Sequence, residues 1–257
     1  MRFKKFCVPV QSQYIEGIFF ANTKRVLMGP SGCSGQHCCN NDTRHSLTGE
    51  LMCHFPYAVL ALAFGLILLS LVTACVAVRD SACGVNESFY RLFHTFHFLH
   101  IVFAGAGATL AFLRYSNRWW RAVVVGTLVP GVFCVLSDVV FPYIGGRLLG
   151  VAMRLHICFF HNWSTITIFL GVGVLMGFVL RLHVAQVPQG SLFTYWLHFG
   201  HIALSALAAL FYLVSHGFYA WDQQMGLVFL MLLVAVVIPC TLSDIVVPIF
   251  VAKNGRK

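Results

Sequence analysis

The chain has 257 residues, of which 59% are hydrophobic and only 10% charged, with a net charge of +9 and a mean hydropathy of +0.81. A water-facing surface needs about 25% charged residues. A soluble globular domain, a disordered chain and a disulfide-rich secreted scaffold are therefore excluded, and an all-α polytopic membrane protein remains.

Residues 1–51 differ from the rest. They hold no apolar run long enough for a signal-peptide core, so they read as an N-terminal cytoplasmic tail, either disordered or upstream of a native start at Met52. The tail contains Cys7, Cys33, Cys38 and Cys39. The fragment Cys33-Ser-Gly-Gln-His37-Cys38-Cys39 has no standard zinc-ligand spacing, and cytoplasmic thiols stay reduced.

Six stretches then supply the roughly 20 apolar residues a helix needs to cross a bilayer: 55–78, 93–113, 122–144, 160–180, 193–214 and 226–251. Runs such as AVLALAFGLILLSLV do not alternate, which excludes a transmembrane β-barrel. Lys and Arg stay cytoplasmic. The tail, the loops after spans two and four and the C-terminus carry 13 basic residues, against 4 on the other side (Arg79, Arg91, Arg147 and Arg154). Both termini are thus expected in the cytoplasm, with the plasma membrane as the location. Basic rims account for the positive charge without a nucleic-acid partner. The expected partners are the lipid bilayer and either further copies of the chain or a larger membrane complex.

The chain repeats itself. Cys134-Val-Leu-Ser-Asp-Val-Val-Phe-Pro142 recurs as Cys240-Thr-Leu-Ser-Asp-Ile-Val-Val-Pro248, with six of nine positions identical. His97-Phe-Leu-His100-Ile101 recurs as His198-Phe-Gly-His201-Ile202, and Cys53 matches Cys158. Residues 52–150 and 151–257 therefore read as two three-helix repeats. Three is odd, so the second unit enters from the opposite side, giving a 3+3 inverted-topology repeat of the kind found in secondary transporters.

Polar residues at membrane depth mark candidate sites. By depth, His97, His100, Asp138 and His161 form an outer set, and His198, His201, Asp244 and His54 with Cys53 an inner one. Residues three apart share a helix face, so each H-x-x-H presents both imidazoles to one point. Asp138 and Asp244, with Ser137 and Ser243 beside them, are candidates for cation transport or proton relay. The histidines are candidates for metal or haem, with His94, His156, Cys134 and Cys240 as secondary ligands. His183 and His216 read as interfacial residues. The small-residue stretches 104–108 and 205–209 predict close contact between spans two and five, Gly173-x-x-x-Gly177 predicts a packing face on span four, and Trp119, Trp120, Trp196 and Trp221 read as aromatic-belt residues.

No phosphate-binding loop, dinucleotide fingerprint or nucleophile elbow occurs. Three functions compete. A carrier fits the inverted repeat and paired sites; histidine with carboxylate suits a divalent transition metal such as Zn, Mn or Fe, or coupling to protons. A haem-b electron carrier would hold two bis-histidine haems on opposite faces. A membrane metalloenzyme is disfavoured because the site is duplicated.

Overall fold

A computed structural model describes residues 47–78, 82–158, 162–184 and 192–255. His161, the side chain of Cys53, Trp196 and the tail fragment around Cys33–Cys39 lie outside the residues whose side chains are described. Among the described residues the secondary structure is helical, and six helical segments are long and apolar enough to cross a membrane: His54–Cys75, Glu87–Tyr115, Trp119–Leu148, Trp163–His183, His198–Ser215 and Trp221–Asn254. These are spans one to six, and they make the chain a multi-pass integral membrane protein. All six expected spans are present. Span two begins six residues earlier than expected, because polar residues at an exposed helix end cost little when they pair: Arg91 donates to Glu87 at 2.6 Å, one turn away.

Helices are required here because lipid offers no partners to an open backbone. Isolated hydroxyls on these helices follow the same rule. Ser70 Oγ donates to Leu66 O at 2.8 Å and Thr73 Oγ1 to Leu69 O at 2.7 Å, each hiding a polar group against its own turn.

Spans two and five are the most enclosed, and spans one and four expose the most apolar surface. Span two is central, packing against spans four, five and three. The expected contact between spans two and five is present, and the alanines of both small-residue stretches, Ala104, Ala106, Ala108, Ala206, Ala208 and Ala209, are buried. Span four packs through its glycines, as its small-residue motif implied. A Cβ at Gly173 would stand 2.7 Å from Val102 O and 3.1 Å from Val102 Cα, so only glycine allows this backbone approach. Trp119 and Trp120 are exposed as belt residues should be, whereas Trp221 is buried in the core.

Spans three and six share an irregularity. Each opens into a single π turn, at Leu136–Val140 and Leu242–Val246, before resuming as Phe141–Leu148 and Val247–Asn254. The cause is local. Pro142 and Pro248 follow the two aspartates by four residues and have no N–H to close on Asp138 O and Asp244 O. The ladder widens just before them: the Phe141 N–H bonds Leu136 O and the Val247 N–H bonds Leu242 O, five residues back in both cases. The prolines therefore bend neither span to an end, and the aspartates lie within the widened turns.

Beyond span three, Gly150 takes φ +84° and ends the helix. Residues 151–157 then run without helix over the mouth of the bundle. They are tied down by span five: Tyr212 Oη accepts from the His156 N–H at 3.3 Å and donates to Arg154 O at 3.3 Å.

Candidate functional site

Asp138 is wholly buried and all its acceptor positions are used. Oδ2 accepts from His97 Nδ1 at 2.9 Å and His100 Nδ1 at 2.7 Å. Oδ1 accepts from Ser137 Oγ at 2.6 Å and Ser205 Oγ at 2.8 Å. The H-x-x-H of span two thus delivers both rings to one carboxylate of span three, as its spacing demands. With Nδ1 of both rings committed, their Nε2 atoms point onward. His100 Nε2 lies 3.8 Å from Cys134 Sγ and 3.8 Å from Cys240 Sγ. His97 Nε2 is buried with no hydrogen-bond partner.

Asp244 is built differently. Its Oδ2 lies 3.3 Å from His201 Nε2, a loose contact, and its Oδ1 is buried without a hydrogen-bond partner. Both ring nitrogens of His201 likewise lack a hydrogen bond, as does Ser243 Oγ. Buried polar atoms without partners are costly, and such atoms gathered at one place mark a site shaped for something else. Asp244 also joins His54 and His198, the three offering ligand atoms within 4.8 Å of one another. The His54 and His198 rings meet edge to face at 4.2 Å between centroids.

The outer and inner sets expected from sequence are in contact. The His100 and His201 rings stand 4.7 Å apart, and His100, His201 and Cys240 form a second group with ligand atoms within 4.8 Å. Depth along each helix is readable from sequence, but the way the π turns aim Asp138 and Asp244 toward the centre is not.

A third group lies toward the other end of span two. His94, His156 and Cys158 again bring ligand atoms within 4.8 Å, with Cys158 Sγ 3.4 Å from His94 Nε2. Burial pushes the Cys158 thiol up to about 12. His94 is one turn, about 4.5 Å of rise, from His97, and the Phe93 ring lies against both. Next to this group opens a cavity of about 670 Å³ lined by Tyr90, Arg154, His156, Ser215 and His216 among others. Tyr90 Oη lies 3.2 Å from His156 Nε2. His216 stacks on Tyr212 at 4.1 Å, and burial lowers its imidazole to about 4.

The candidate residues thus form one sequence through the bundle: His54 and His198, Asp244, His201, His100 with Cys134 and Cys240, Asp138, His97, then His94, His156 and Cys158 at the cavity. Sequence reasoning missed Ser205, read as a packing residue though its hydroxyl completes the Asp138 site, and assigned His216 to the interface. Ser205 is the one polar residue in its small-residue stretch, and that was the available signal. Compared with protein families, curated proteins and solved structures, the chain matches none.

Proposed function

We propose that the protein is a membrane carrier for a divalent transition-metal cation, passed between three buried ligand groups in series. The observation that carries this reading is the continuity of the groups. His54–His198–Asp244, His100–His201–Cys240 and His94–His156–Cys158 follow one another from one end of the bundle to the cavity at the other. Conduction needs several sites in sequence, each favourable enough to enter and weak enough to leave. Imidazole with carboxylate or thiol is the ligand set of such metals.

The inverted 3+3 repeat of residues 52–150 and 151–257 belongs to this reading. It is supported by the two Leu-Ser-Asp π turns, which put one aspartate from each half at the centre. A plasma-membrane location belongs to the same reading, and cytoplasmic termini are supported by the basic residues gathered at one end: Arg121 donates to Gly255 O at 3.2 Å, Arg181 to Asn117 Oδ1 at 2.7 Å, and Lys253 lies 5.1 Å over the Tyr115 ring. The haem alternative fits the geometry less well. Axial histidines must face each other through a porphyrin plane, and the pairs His54–His198 and His100–His201 touch edge to face at 4.2 and 4.7 Å.

The test is uptake by purified protein in proteoliposomes loaded with a zinc indicator. Zinc entry should exceed that of protein-free vesicles and fall to that level in His201→Ala. Uptake equal to that of empty vesicles for Zn, Mn and Fe, or a reducible Soret band in the purified protein, would overturn the carrier reading.

A further inference from the structure

At the centre of the bundle, four potential metal ligands arrive from four different spans. His100 comes from span two, Cys134 from span three, His201 from span five and Cys240 from span six, and all four are buried. We infer that they form a Cys2His2 site selective for zinc, with Asp138 as the group that positions His100. This deepens the carrier reading and rests on it for the role of the site in transport, though not for binding itself.

The distances place three of the four ligands directly; Cys134 Sγ reaches His100 Nε2 but lies outside the group His100–His201–Cys240 whose ligand atoms all fall within 4.8 Å, so its side chain must turn inward when the metal binds. In tetrahedral zinc, a sulfur at about 2.3 Å and a nitrogen at about 2.0 Å from the metal lie about 3.6 Å apart. His100 Nε2 stands 3.8 Å from each of Cys134 Sγ and Cys240 Sγ, close to that separation for both thiols at once. His201 supplies the fourth position. Its ring lies 4.7 Å from that of His100, its ligand atom is within 4.8 Å of those of His100 and Cys240, and neither of its nitrogens has a hydrogen bond.

The surroundings match as well. A metal-bound histidine usually donates its other N–H to a carboxylate, which fixes tautomer and ring orientation. His100 Nδ1 does so to Asp138 Oδ2 at 2.7 Å, leaving Nε2 aimed at the thiols. Charge also balances. Zinc displaces one proton from each of two thiols, and Zn2+ with two thiolates and two neutral imidazoles is a neutral assembly. An apolar interior tolerates that far better than a bare divalent ion. Hard cations such as magnesium or manganese prefer oxygen ligands and are disfavoured by two thiolates.

The experiment uses full-length protein in detergent in which every cysteine except Cys134 and Cys240 is replaced by serine, titrated with cobalt as a spectroscopic stand-in for zinc. One cobalt per chain should bind, with an intense visible spectrum typical of tetrahedral sites and a thiolate-to-metal charge-transfer band in the near ultraviolet. Cobalt binding should release about two protons, and zinc should then displace it with no further release. Cys240→Ser should remove much of the charge-transfer intensity, and Asp138→Asn should weaken binding about 10- to 100-fold while keeping the band. A second measurement covers variants that do not fold: in the unaltered protein, zinc should protect Cys134 and Cys240 from alkylation in partly unfolding detergent. Absence of a charge-transfer band together with absence of protection would overturn the site. Binding without vesicle uptake would leave the site standing and remove the carrier reading; uptake without thiolate binding would do the reverse.

Discussion

Replacing each aspartate by asparagine separates two kinds of buried carboxylate. Asp138 accepts four hydrogen bonds, two from imidazoles and two from serines. In Asp138→Asn the least costly arrangement turns the amide nitrogen toward Ser137 and Ser205, whose hydroxyls can rotate to accept. Ser137 already has a second acceptor in Cys134 O at 3.1 Å. The remaining amide oxygen still accepts from His97 and His100, but without charge. A hydrogen bond to a charged group contributes about 1.5–3 kcal/mol and a neutral one about 0.5–1.5 kcal/mol, so two such bonds lose about 2–3 kcal/mol together. Asp244 has only the 3.3 Å contact to His201 and an oxygen with no hydrogen bond. In Asp244→Asn little hydrogen bonding is lost, so stability should change by less than about 1 kcal/mol. Equilibrium unfolding in mixed detergent–SDS micelles measures both. A loss of 2–3 kcal/mol is about 30- to 150-fold in the unfolding constant. Vesicle uptake should fail in both variants, in Asp138→Asn through misplaced histidines and in Asp244→Asn through loss of a ligand. Equal stability losses, or a larger loss in Asp244→Asn, would refute the distinction.

Gly173→Ala should destabilise the bundle by about 1–3 kcal/mol, since the new methyl meets backbone of span two at 2.7 Å, whereas Gly171→Ala, with open space around its Cβ, should stabilise by up to about 1 kcal/mol; unfolding of the two variants side by side checks this. His216 is held to about 4 by burial, against about 6.5 when unfolded. Its neutral form favours the folded state, so its contribution is full above about pH 6.5 and is lost as pH falls toward 4. Thermal stability should decline over that window, and more shallowly in His216→Phe; superimposable acid profiles would count against this. With its thiol near 12, Cys158 should be alkylated very slowly at pH 8, about one part in ten thousand being thiolate, and about tenfold faster per pH unit above it. Rapid labelling at pH 7 would contradict the burial that causes the shift.

The spans were legible because lipid permits little else: apolar runs of 20 residues mean helices, and every expected run is one. A packing face on span four was legible too, since Gly173 and Gly177 bring no side chain to keep a neighbouring backbone away, but that span two is the neighbour was not. The candidate ligands were legible as residues but not as a path. Their spacing put His97 with His100 and His198 with His201, yet nothing in periodicity says that the two pairs meet, because that depends on helix tilt and azimuth. The group at His94 was hardest. Its partners His156 and Cys158 lie on and just beyond a non-helical stretch held over the mouth by Tyr212, and irregular backbone has no period to read.

The widened turns at Leu136–Val140 and Leu242–Val246 also govern how this chain should be aligned with any other. Each fits about one surplus residue into its helix, and one residue is about 100° of rotation. A helical wheel drawn straight through span three or span six therefore misassigns the faces of everything that follows. It would turn Pro142, Gly145 and Gly146 together, by about 100°, away from the interior that all three face in the folded chain. A chain with one residue fewer inside Leu-Ser-Asp would keep its hydropathy profile yet turn that segment toward lipid. Gaps of a single position at these two places carry more structural meaning than long insertions in the loops.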